Sequence, residues 1–405
     1  MFAYQARTGS NGHHARVISA GADGPREKSP VRISIGLVAW NEAVSIGLTI
    51  ESIFSQNLLR RHHEGVERIE LAILANGCTD DTIAVADAAL RKHLASCRLG
   101  YVTATVYDLP GPDRPGAWNE FVHRISSKQS DYIVMMDSDI YFDNPDSLWN
   151  LVNGLQEDPS AYASATSAIK DVAQQKRKSL LDRACLVMTD MMRTAAAPRP
   201  HLTGGCYCGR AAFWRRIELP LGMKGDDAFL SRMVTTSLLT TTPDYRRICR
   251  PPNATFVFEA YDSVWVLFKQ HRRRMIGRYI EDLIYKDVGT EVGRSGADAG
   301  EILRRRNRES PEWLLELFHR KVSQVELCMI PPMRILLRLQ QLTHQPLCRA
   351  IARLPVAVLG TAWDLAVAIA ATWTMKRQQM AGVWFDTRNK RLLNDSSPAV
   401  SGVRS

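Results

Sequence analysis

Two carboxylates, Asp137 and Asp139, follow a run of four apolar residues and are separated by a single serine. Where a buried strand ends, two such carboxylates can serve different partners, one binding a metal ion while the other reaches a hydroxyl group or a base. Hard cations such as Mn²⁺ and Mg²⁺ take oxygen ligands and bridge phosphate oxygens, so the pair suits a diphosphate carried on such an ion. The structural alternative is a capped turn completed by Asp143 and Asn144.

Strand-like and helix-like segments alternate four times in the region that leads to these aspartates. Apolar runs begin near Val31, Glu67, Thr103 and Asp131, and each of the first three is followed by a helix-like segment. Such alternation is typical of a mainly parallel sheet flanked by helices, in which ligands bind at the carboxyl ends of the strands. The sequence therefore predicts an α/β fold with Asp137 at a ligand-binding edge.

A second group of small and acidic residues lies further along the chain. Gly204 and Gly205 would let the backbone approach a ligand closely, and Asp226 and Asp227 stand where a helix is predicted to begin. A positioned carboxylate can take the proton of an attacking hydroxyl group. The structural alternatives are an ordinary turn for the glycines and a favourable interaction with the helix dipole for the aspartates.

The segments VAWNEA, ANGCTDDT, GPDRPGAWNEF and DSD occur in this order, after successive predicted strands. Together they resemble the nucleotide-binding half of the family 2 glycosyltransferases, and the resemblance covers roughly residues 31–275. It implies a GT-A fold, which is a Rossmann-like, mainly parallel sheet flanked by helices, and sugar transfer from a nucleotide-diphospho-sugar. Two positions depart from the family pattern, because Gly77 stands where an aspartate is usual and Arg114 where a lysine is usual.

For the donor side, the resemblance implies a role for each residue that matches a family motif. Asn76 and Asp80 would hold the uracil or ribose, and Arg114 would lie near the diphosphate. Asp137 would orient the ribose side of the donor, and Asp139 would ligate Mn²⁺ or Mg²⁺. The implied donor-binding set is Ala39, Asn41, Glu42, Asn76, Asp80, Arg114 and Asp137.

For the acceptor side, the resemblance implies that Asp227 is the general base of an inverting transfer. Processive family members carry a Q-x-x-R-W motif, whose tryptophan position is occupied here by Arg274, and this favours the transfer of a single sugar. The alternative for that basic segment is an amphipathic helix on anionic lipid. The implied acceptor-side set is Gly204, Gly205, Asp226, Gln270 and Arg273.

The sequence divides into three predicted parts. Residues 1–29 form a polar tail, residues 30–259 form the GT-A domain, and residues 260–405 form a basic helical region. An apolar run at residues 354–375 is long enough to span a bilayer, but it contains Pro355 and Asp364 and has arginine or lysine on both sides. We therefore expect a peripheral or monotopic helix at the cytoplasmic face of the inner membrane. A W-x-x-T-R sequence at residues 384–388 resembles the ending of membrane-associated family members.

Three other classes of protein are alternatives to this interpretation: a nucleic-acid-binding protein, a phosphatase and a catalytically silent scaffold. A net charge of +10 fits an anionic membrane surface or a phosphorylated ligand, and we expect no nucleic-acid partner because the basic residues lack an interleaved aromatic platform. A phosphatase with a D-x-D motif would carry it on the first strand. A catalytically silent GT-A scaffold at the membrane is the main alternative. The preferred hypothesis is an inverting, metal-dependent transferase that moves a sugar from a UDP-sugar to a lipid-linked or polysaccharide precursor.

Overall fold

The structure is a computed structural model of the 405-residue chain. It describes residues 30–61, 63, 65–96, 100–111, 113–171, 200–259, 264–324, 329–343 and 345–377. The predicted tail at residues 1–29 and the W-x-x-T-R sequence at residues 384–388 lie outside these residues.

The main sheet has seven strands within the described part of the chain. They are β1 (Val31–Ala39), β2 (Val66–Asn76), β3 (Val102–Leu109), β4 (Tyr132–Asp137), β6 (Ala163–Ala165), β8 (Cys206–Arg210) and β9 (Ile248–Cys249). Their order across the sheet is β3-β2-β1-β4-β8-β6-β9, and the first four are mutually parallel. Strand β8 runs antiparallel to both of its neighbours. The predicted α/β fold with a mainly parallel sheet is confirmed.

A smaller sheet of three strands lies next to the main one in the described structure. It consists of β5 (Ile140–Tyr141), β7 (Ser167–Lys170) and β10 (Thr255–Phe258), with β10 in the middle. Because β5 begins directly after Asp139, this sheet fixes the far side of the predicted metal-binding turn. Phe256 of β10 packs so closely against Gly205 that a Cβ atom there would come within 2.6 Å of the ring.

Helices cover both faces of the main sheet. Those of the first half are α1 (Ile46–Phe54), α2 (Asn57–Arg60), α3 (Thr82–Ser96), α4 (Arg114–Glu120), α5 (Ser147–Glu157), α6 (Ala211–Trp214) and α7 (Asp226–Thr235). Side chains alternate across β1, so that Ile33, Ile35 and Leu37 face one apolar cluster while Val38 faces the other. Gly36 faces the ring of Phe121, which leaves no room for a Cβ atom. This close approach lets α4 lie directly on the central strand.

The C-terminal part of the described chain is helical, as predicted. It contains α8 (Val264–Ser295), α9 (Ala299–Glu309), α10 (Trp313–Val322), α11 (Pro332–Ile335), α12 (Leu337–Leu342) and α13 (Leu347–Lys376). Buried residues of α8 to α10 belong to the same apolar cluster as Trp118 and Phe121, so these helices pack on one face of the main sheet. Of the described helices, α13 alone is long and apolar enough to cross a membrane, with a mean hydropathy of 1.8.

Helix α13 is held to the rest of the protein by a polar cluster. Asp364 is 6% exposed and accepts a hydrogen bond of 2.6 Å from Nε of Arg338, which lies on α12. His271 of α8 lies 3.7 Å from the same carboxylate through Nε2, and its Nδ1 accepts a hydrogen bond of 2.9 Å from the indole of Trp363. The charged residue in the middle of this apolar helix therefore faces protein.

Candidate active site

The carboxyl ends of the parallel strands bring the predicted donor residues to one edge of the sheet. In the strand register, Val38 lies opposite Asp137, Ala39 opposite Ala75, and Asn76 opposite Leu109. Parallel strands end on the same side, so the chain reaches this edge four times, at the ends of β1, β2, β3 and β4. Ala39, Asn76 and Asp137 are accordingly neighbours although they lie far apart in the sequence.

The loops that follow β1 and β2 are joined by side chains of the predicted set. Asn41 adopts a left-handed backbone conformation (φ 53°), and its Oδ1 accepts a hydrogen bond of 2.7 Å from the amide of Thr79. Asp80 accepts a hydrogen bond of 3.2 Å from the amide of Ala43, and Thr82 accepts one of 2.7 Å from the amide of Glu42. These contacts give the two loops one defined shape. The predicted contacts to a base or ribose remain predictions.

Asn76 connects β2 to the loop that precedes α4. It is 3% exposed, and with its amide suitably oriented it donates to the carbonyl of Gly111 at 2.7 Å and accepts from the amide of Arg114 at 3.3 Å. Asp113 is the N-cap of α4, and its side chain accepts a hydrogen bond of 3.1 Å from the amide of Gly116. The same side chain also accepts a hydrogen bond of 3.2 Å from the amide of Gly222. The backbone of Arg114 is thereby fixed at the first position of the helix.

Arg114 lies at the centre of the site. Its Nη2 donates to Oδ1 of Asp137 at 2.7 Å and to the carbonyl of Gly204 at 3.2 Å, and its Nη1 donates to Oδ2 of Asp226. The side chain is 9% exposed. Burial opposes its charge, but the carboxylate of Asp137 and its hydrogen bond raise the pKa of Arg114 overall. The arginine therefore links the end of β4 to the first turn of α7.

Asp137 and Asp139 differ in their surroundings. Burial raises the pKa of the Asp137 carboxyl group, and the attraction of Arg114 only partly offsets this effect. Asp139 is exposed, although many protein atoms surround its carboxyl group. This desolvation, followed by the charges of Asp137 and Glu42, raises the pKa of Asp139 to about 7. An accessible carboxylate crowded by negative charge is a natural place for a cation.

The predicted acceptor residues also converge on this centre. The amide of Asp137 donates to the carbonyl of Gly205 at 2.8 Å, and a Cβ atom on Gly204 would lie 3.5 Å from Oδ2 of Asp227. Gly225, which precedes α7, has a left-handed conformation (φ 87°), so the chain turns sharply before Asp226. Asp226 is buried and pairs with Arg114, whereas Asp227 is half-buried. The two adjacent carboxylates therefore have separate surroundings.

The Q-x-x-R residues lie on α8 beside the site. Gln270 is 7% exposed, and Arg273 is close enough for its charge to act on both Asp137 and Lys224. Arg274, which stands where processive family members have tryptophan, is exposed. Arg273 therefore lies near Asp137, while the neighbouring arginine is exposed at the surface.

Three further polar residues lie at this centre that the sequence motifs do not indicate: Asp113, Lys224 and Glu281. Burial raises the pKa of Asp113 and, together with the charge of Arg273, lowers that of Lys224. Glu281 is 7% exposed on α8, and burial followed by the charge of Asp227 raises its pKa to about 8. One sequence signal could have found Glu281, because it is an acid among the buried positions 276, 277, 280, 284 and 288 of α8.

The site suits a metal ion that shares its ligands with a substrate. Among the described residues, no three histidine, cysteine or carboxylate side chains are grouped to hold a metal by themselves. Mg²⁺ and similar ions are commonly bound by one or two carboxylates together with substrate phosphates. Asp139 offers an accessible oxygen ligand with the charges of Asp137 and Glu42 nearby. These residues fit such an ion.

Known proteins were compared with this chain by sequence and by structure. The sequence model described as "Glycosyl transferase family 2" matches residues 34–218. No curated protein matches the sequence. A mannosyltransferase from Pyrobaculum calidifontis, solved with GDP-Man and Mn²⁺, is 16% identical with a TM-score of 0.48, and the match covers 85% of this chain and 88% of that one.

A second similar structure is glucosyl-3-phosphoglycerate synthase from Mycobacterium tuberculosis, solved with Mn²⁺, UDP-glucose and phosphoglyceric acid. It is 17% identical with a TM-score of 0.39, and the match covers 62% of this chain and 79% of that one. Both TM-scores lie below 0.5, so the assignment rests on the family match at residues 34–218 and on the strand-end motifs. Residues 34–218 of this chain therefore match the glycosyl transferase family 2.

Proposed function

We propose that this protein is an inverting, metal-dependent glycosyltransferase that moves a sugar from a nucleotide-diphospho-sugar, with a UDP-sugar as the expected donor. The acceptor is a hydroxyl group of a lipid-linked or polysaccharide precursor. The observation that carries the proposal is the link made by Arg114 between Asp137 and Asp226, because it joins the donor edge of the sheet to the turn that holds Asp227.

On the donor side, the loops after β1 and β2 would hold the nucleoside. Asn41 and Asp80 fix these loops against each other, which leaves their backbone available to a base and ribose. Asp137 lies at the end of β4 below the same loops and would meet the ribose. Arg114 is bonded to protein oxygens through both terminal nitrogens, so it would act on the diphosphate mainly through its positive charge.

Asp139 would hold the metal ion together with oxygens of the diphosphate. When bound, Mn²⁺ or Mg²⁺ would neutralise the negative charge that develops on the leaving nucleotide. The deprotonated form of Asp139 is the one that binds a cation, and a cation would lower the raised pKa of this carboxyl group.

On the acceptor side, Asp227 would act as the general base. The acceptor oxygen attacks the anomeric carbon, the bond from that carbon to the nucleotide breaks, and the hydroxyl proton passes to the Asp227 carboxylate. Attack from the face opposite the leaving group inverts the anomeric configuration. Asp226 is neutralised by Arg114, so Asp227 is the carboxylate of the pair that remains for this role. Such proton transfer typically contributes about 10²- to 10⁴-fold in rate.

A membrane-associated acceptor is supported by the exposed apolar face of α13. Seven exposed apolar residues recur along this helix at helical spacing, and we call them the α13 apolar face: Leu347, Ile351, Leu354, Val358, Leu365, Ile369 and Trp373. The helix has 30 residues and is roughly 45 Å long. Exposed cations flank this face, with Arg349 and Arg353 near one end and Lys376 and Arg377 at the other.

The opposite side of α13 favours a helix that lies in the membrane surface over one that crosses the bilayer. Asp364 is bonded to Arg338 and lies beside His271, so crossing would either carry this charged cluster into hydrocarbon or separate its partners. An in-plane helix keeps the cluster against protein and turns the α13 apolar face to the acyl chains. The cytoplasmic face of the inner membrane is the expected side, because nucleotide-sugars are cytosolic.

The test is nucleotide release by purified protein from a panel of UDP-, GDP- and TDP-sugars, with added membranes, with and without Mn²⁺. Metal-dependent release from one donor is expected, and Asp139→Ala should abolish the dependence on metal. A matched control is Asp87→Asn on the exposed surface of α3, where the carboxylate pairs with Arg91 one turn away. Neither release nor donor binding from any sugar would instead support a silent scaffold.

A further inference from the structure

Glu281 is a buried acid on the face of α8 that packs against the protein. Its relative exposure is 7%, and the same face carries Ile276, Gly277, Ile280 and Ile284. Acids are rarely buried to this extent unless they are paired, bind a metal or have a function. The proposed mechanism does not use this residue, so its place in the structure calls for an explanation.

The helix face around Glu281 lies directly on the turn that begins α7. A Cβ atom on Gly277 would come within 3.1 Å of the carbonyl oxygen of Lys224, so the two backbones approach closely there. One helical turn later, Oε1 of Glu281 lies 2.8 Å from the position that a Cβ atom of Gly225 would occupy. Gly225 directly precedes Asp226 and Asp227. The Glu281 carboxyl group therefore contacts the turn that sets the position of Asp227.

The charges around Glu281 come from three elements. Asp227 faces it from α7, Asp282, Arg278 and Tyr285 lie near it on α8 itself, and Arg334 faces it from α11. Burial and then the charge of Asp227 raise the pKa of Glu281 to about 8, while the arginines act in the opposite direction. At neutral pH the group is therefore mainly protonated, with one O–H donor and one carbonyl acceptor.

We propose that Glu281 is a positioning residue for Asp227. Its neutral carboxyl group, held by α8 against the Gly225 turn, keeps the Asp227 carboxylate oriented towards the acceptor hydroxyl without placing a second negative charge beside it. The inference rests on the proposed function, because it gives Asp227 the role of general base. It adds a residue from the C-terminal helical region to the catalytic machinery of the sheet.

A purely structural role would favour a different side chain at this position. A leucine would fill the space without a polar group to desolvate, and a glutamine would supply hydrogen bonds without an ionisable proton. Above the ordinary pKa of glutamate, a carboxyl group gives the folded protein the lowest stability of these three side chains. The reason is that the buried group stays protonated, whereas in the unfolded chain it would lose its proton to the solvent. An acid retained here is better explained by its action on Asp227.

The experiment measures kcat, the KM for the donor and the pH profile of kcat for Glu281→Leu and Glu281→Gln. We expect Glu281→Leu to lower kcat by about 10²-fold with little change in donor KM, because a misplaced base acts on the reaction more than on donor binding. In the wild-type protein kcat should fall as the pH rises through about 8, when Glu281 ionises. Glu281→Gln should keep most of kcat and lose this decline.

Glu309→Gln on the exposed surface of α9 is the control and should match the wild type in both measurements. If Glu281→Leu does not fold, the pH profile of Glu281→Gln decides alone. Wild-type kcat in Glu281→Leu, or a decline near pH 8 that persists in Glu281→Gln, would overturn the positioning role while leaving the transferase intact. If the wild-type protein released no nucleotide at all, the proposed function would fail and this inference with it.

Discussion

Arg114 and Asp137 form an ion pair of 2.7 Å between the first turn of α4 and the carboxyl end of β4. The pair lies in a largely buried setting, with the arginine side chain 9% exposed and the aspartate 32% exposed. The same guanidinium group also bonds Asp226 and the Gly204 carbonyl. One side chain thus bonds three segments that lie 23, 90 and 112 residues away from it in the sequence.

The buried position of Arg114 predicts a large loss of stability when its charge is removed. Arg114→Met would leave the carboxylates of Asp137 and Asp226 without their partner, and breaking a buried pair in this way typically costs about 3–5 kcal/mol. Urea denaturation should show this decrease in the free energy of unfolding. Arg124→Met is the matched control, because Arg124 pairs with Glu120 on the surface and is 78% exposed. It should change stability by less than about 1 kcal/mol.

The roles of the two adjacent aspartates predict different kinetic effects. Asp227→Asn should lower kcat by about 10²- to 10⁴-fold with donor KM nearly unchanged, because the base acts only as the acceptor hydroxyl loses its proton. Asp226→Asn should instead weaken the hold on Arg114 and lower stability as well as rate. Steady-state kinetics and thermal unfolding of both variants distinguish these effects. Unaltered turnover in Asp227→Asn would rule out its role as general base.

The α13 apolar face predicts binding to anionic membranes. A double change, Ile351→Glu and Ile369→Glu, places charge at two exposed positions of this face, and each should weaken binding by about tenfold or more. Co-sedimentation with phosphatidylglycerol-containing vesicles measures the effect, and neutral vesicles test the contribution of the flanking cations. Leu48→Glu on α1, where the leucine is comparably exposed at 48%, should leave binding unchanged. Equal binding by all three proteins would exclude this face as the membrane contact.

The raised pKa of Glu281 predicts a change of stability with pH. The folded protein holds this proton up to a pH of about 8, whereas the unfolded chain loses it near the ordinary glutamate value of 4.5. The stability that the protonated acid contributes is therefore complete below pH 4.5 and lost as the pH rises to about 8. Glu281→Gln cannot lose this proton, so its Tm should rise relative to that of the wild type between pH 4.5 and about 8. The difference in Tm should reach roughly 2 °C or more. A Tm difference that does not vary with pH would contradict the assignment.

The parallel half of the fold could be predicted from the sequence because its signals are local. Apolar runs that end in Asn41, Asn76 or Asp137 mark both the strands and the edge where they stop. The structure confirms the mainly parallel sheet that this alternation predicts. The pairing of Asp226 with Arg114 could not be predicted in the same way, because the two residues lie 112 positions apart and meet only in the folded chain.

The positions of the predicted acceptor-side residues depend still more on tertiary contacts. The spacing of apolar residues on α8 indicates that Glu281 lies on a buried face, but its place beside the Gly225 turn depends on the close approach of Gly277 to the Lys224 carbonyl. The orientation of α13 likewise depends on Asp364, whose partners come from α8 and α12. Sequence patterns identify such charged residues within apolar segments but do not identify the residues that pair with them.

The position of β1 in the middle of the sheet also affects when the site can form during synthesis. Strand β1 pairs with residues near Val66 and Tyr132, β8 closes the far side of β4, and Asp226 must arrive before Arg114 is fully paired. Each of these contacts spans a long stretch of chain, and contacts of this kind form slowly. A nascent chain must therefore emerge from the ribosome beyond α7 before the predicted donor-binding edge becomes stable. Until then, its apolar strands are segments that chaperones would be expected to bind.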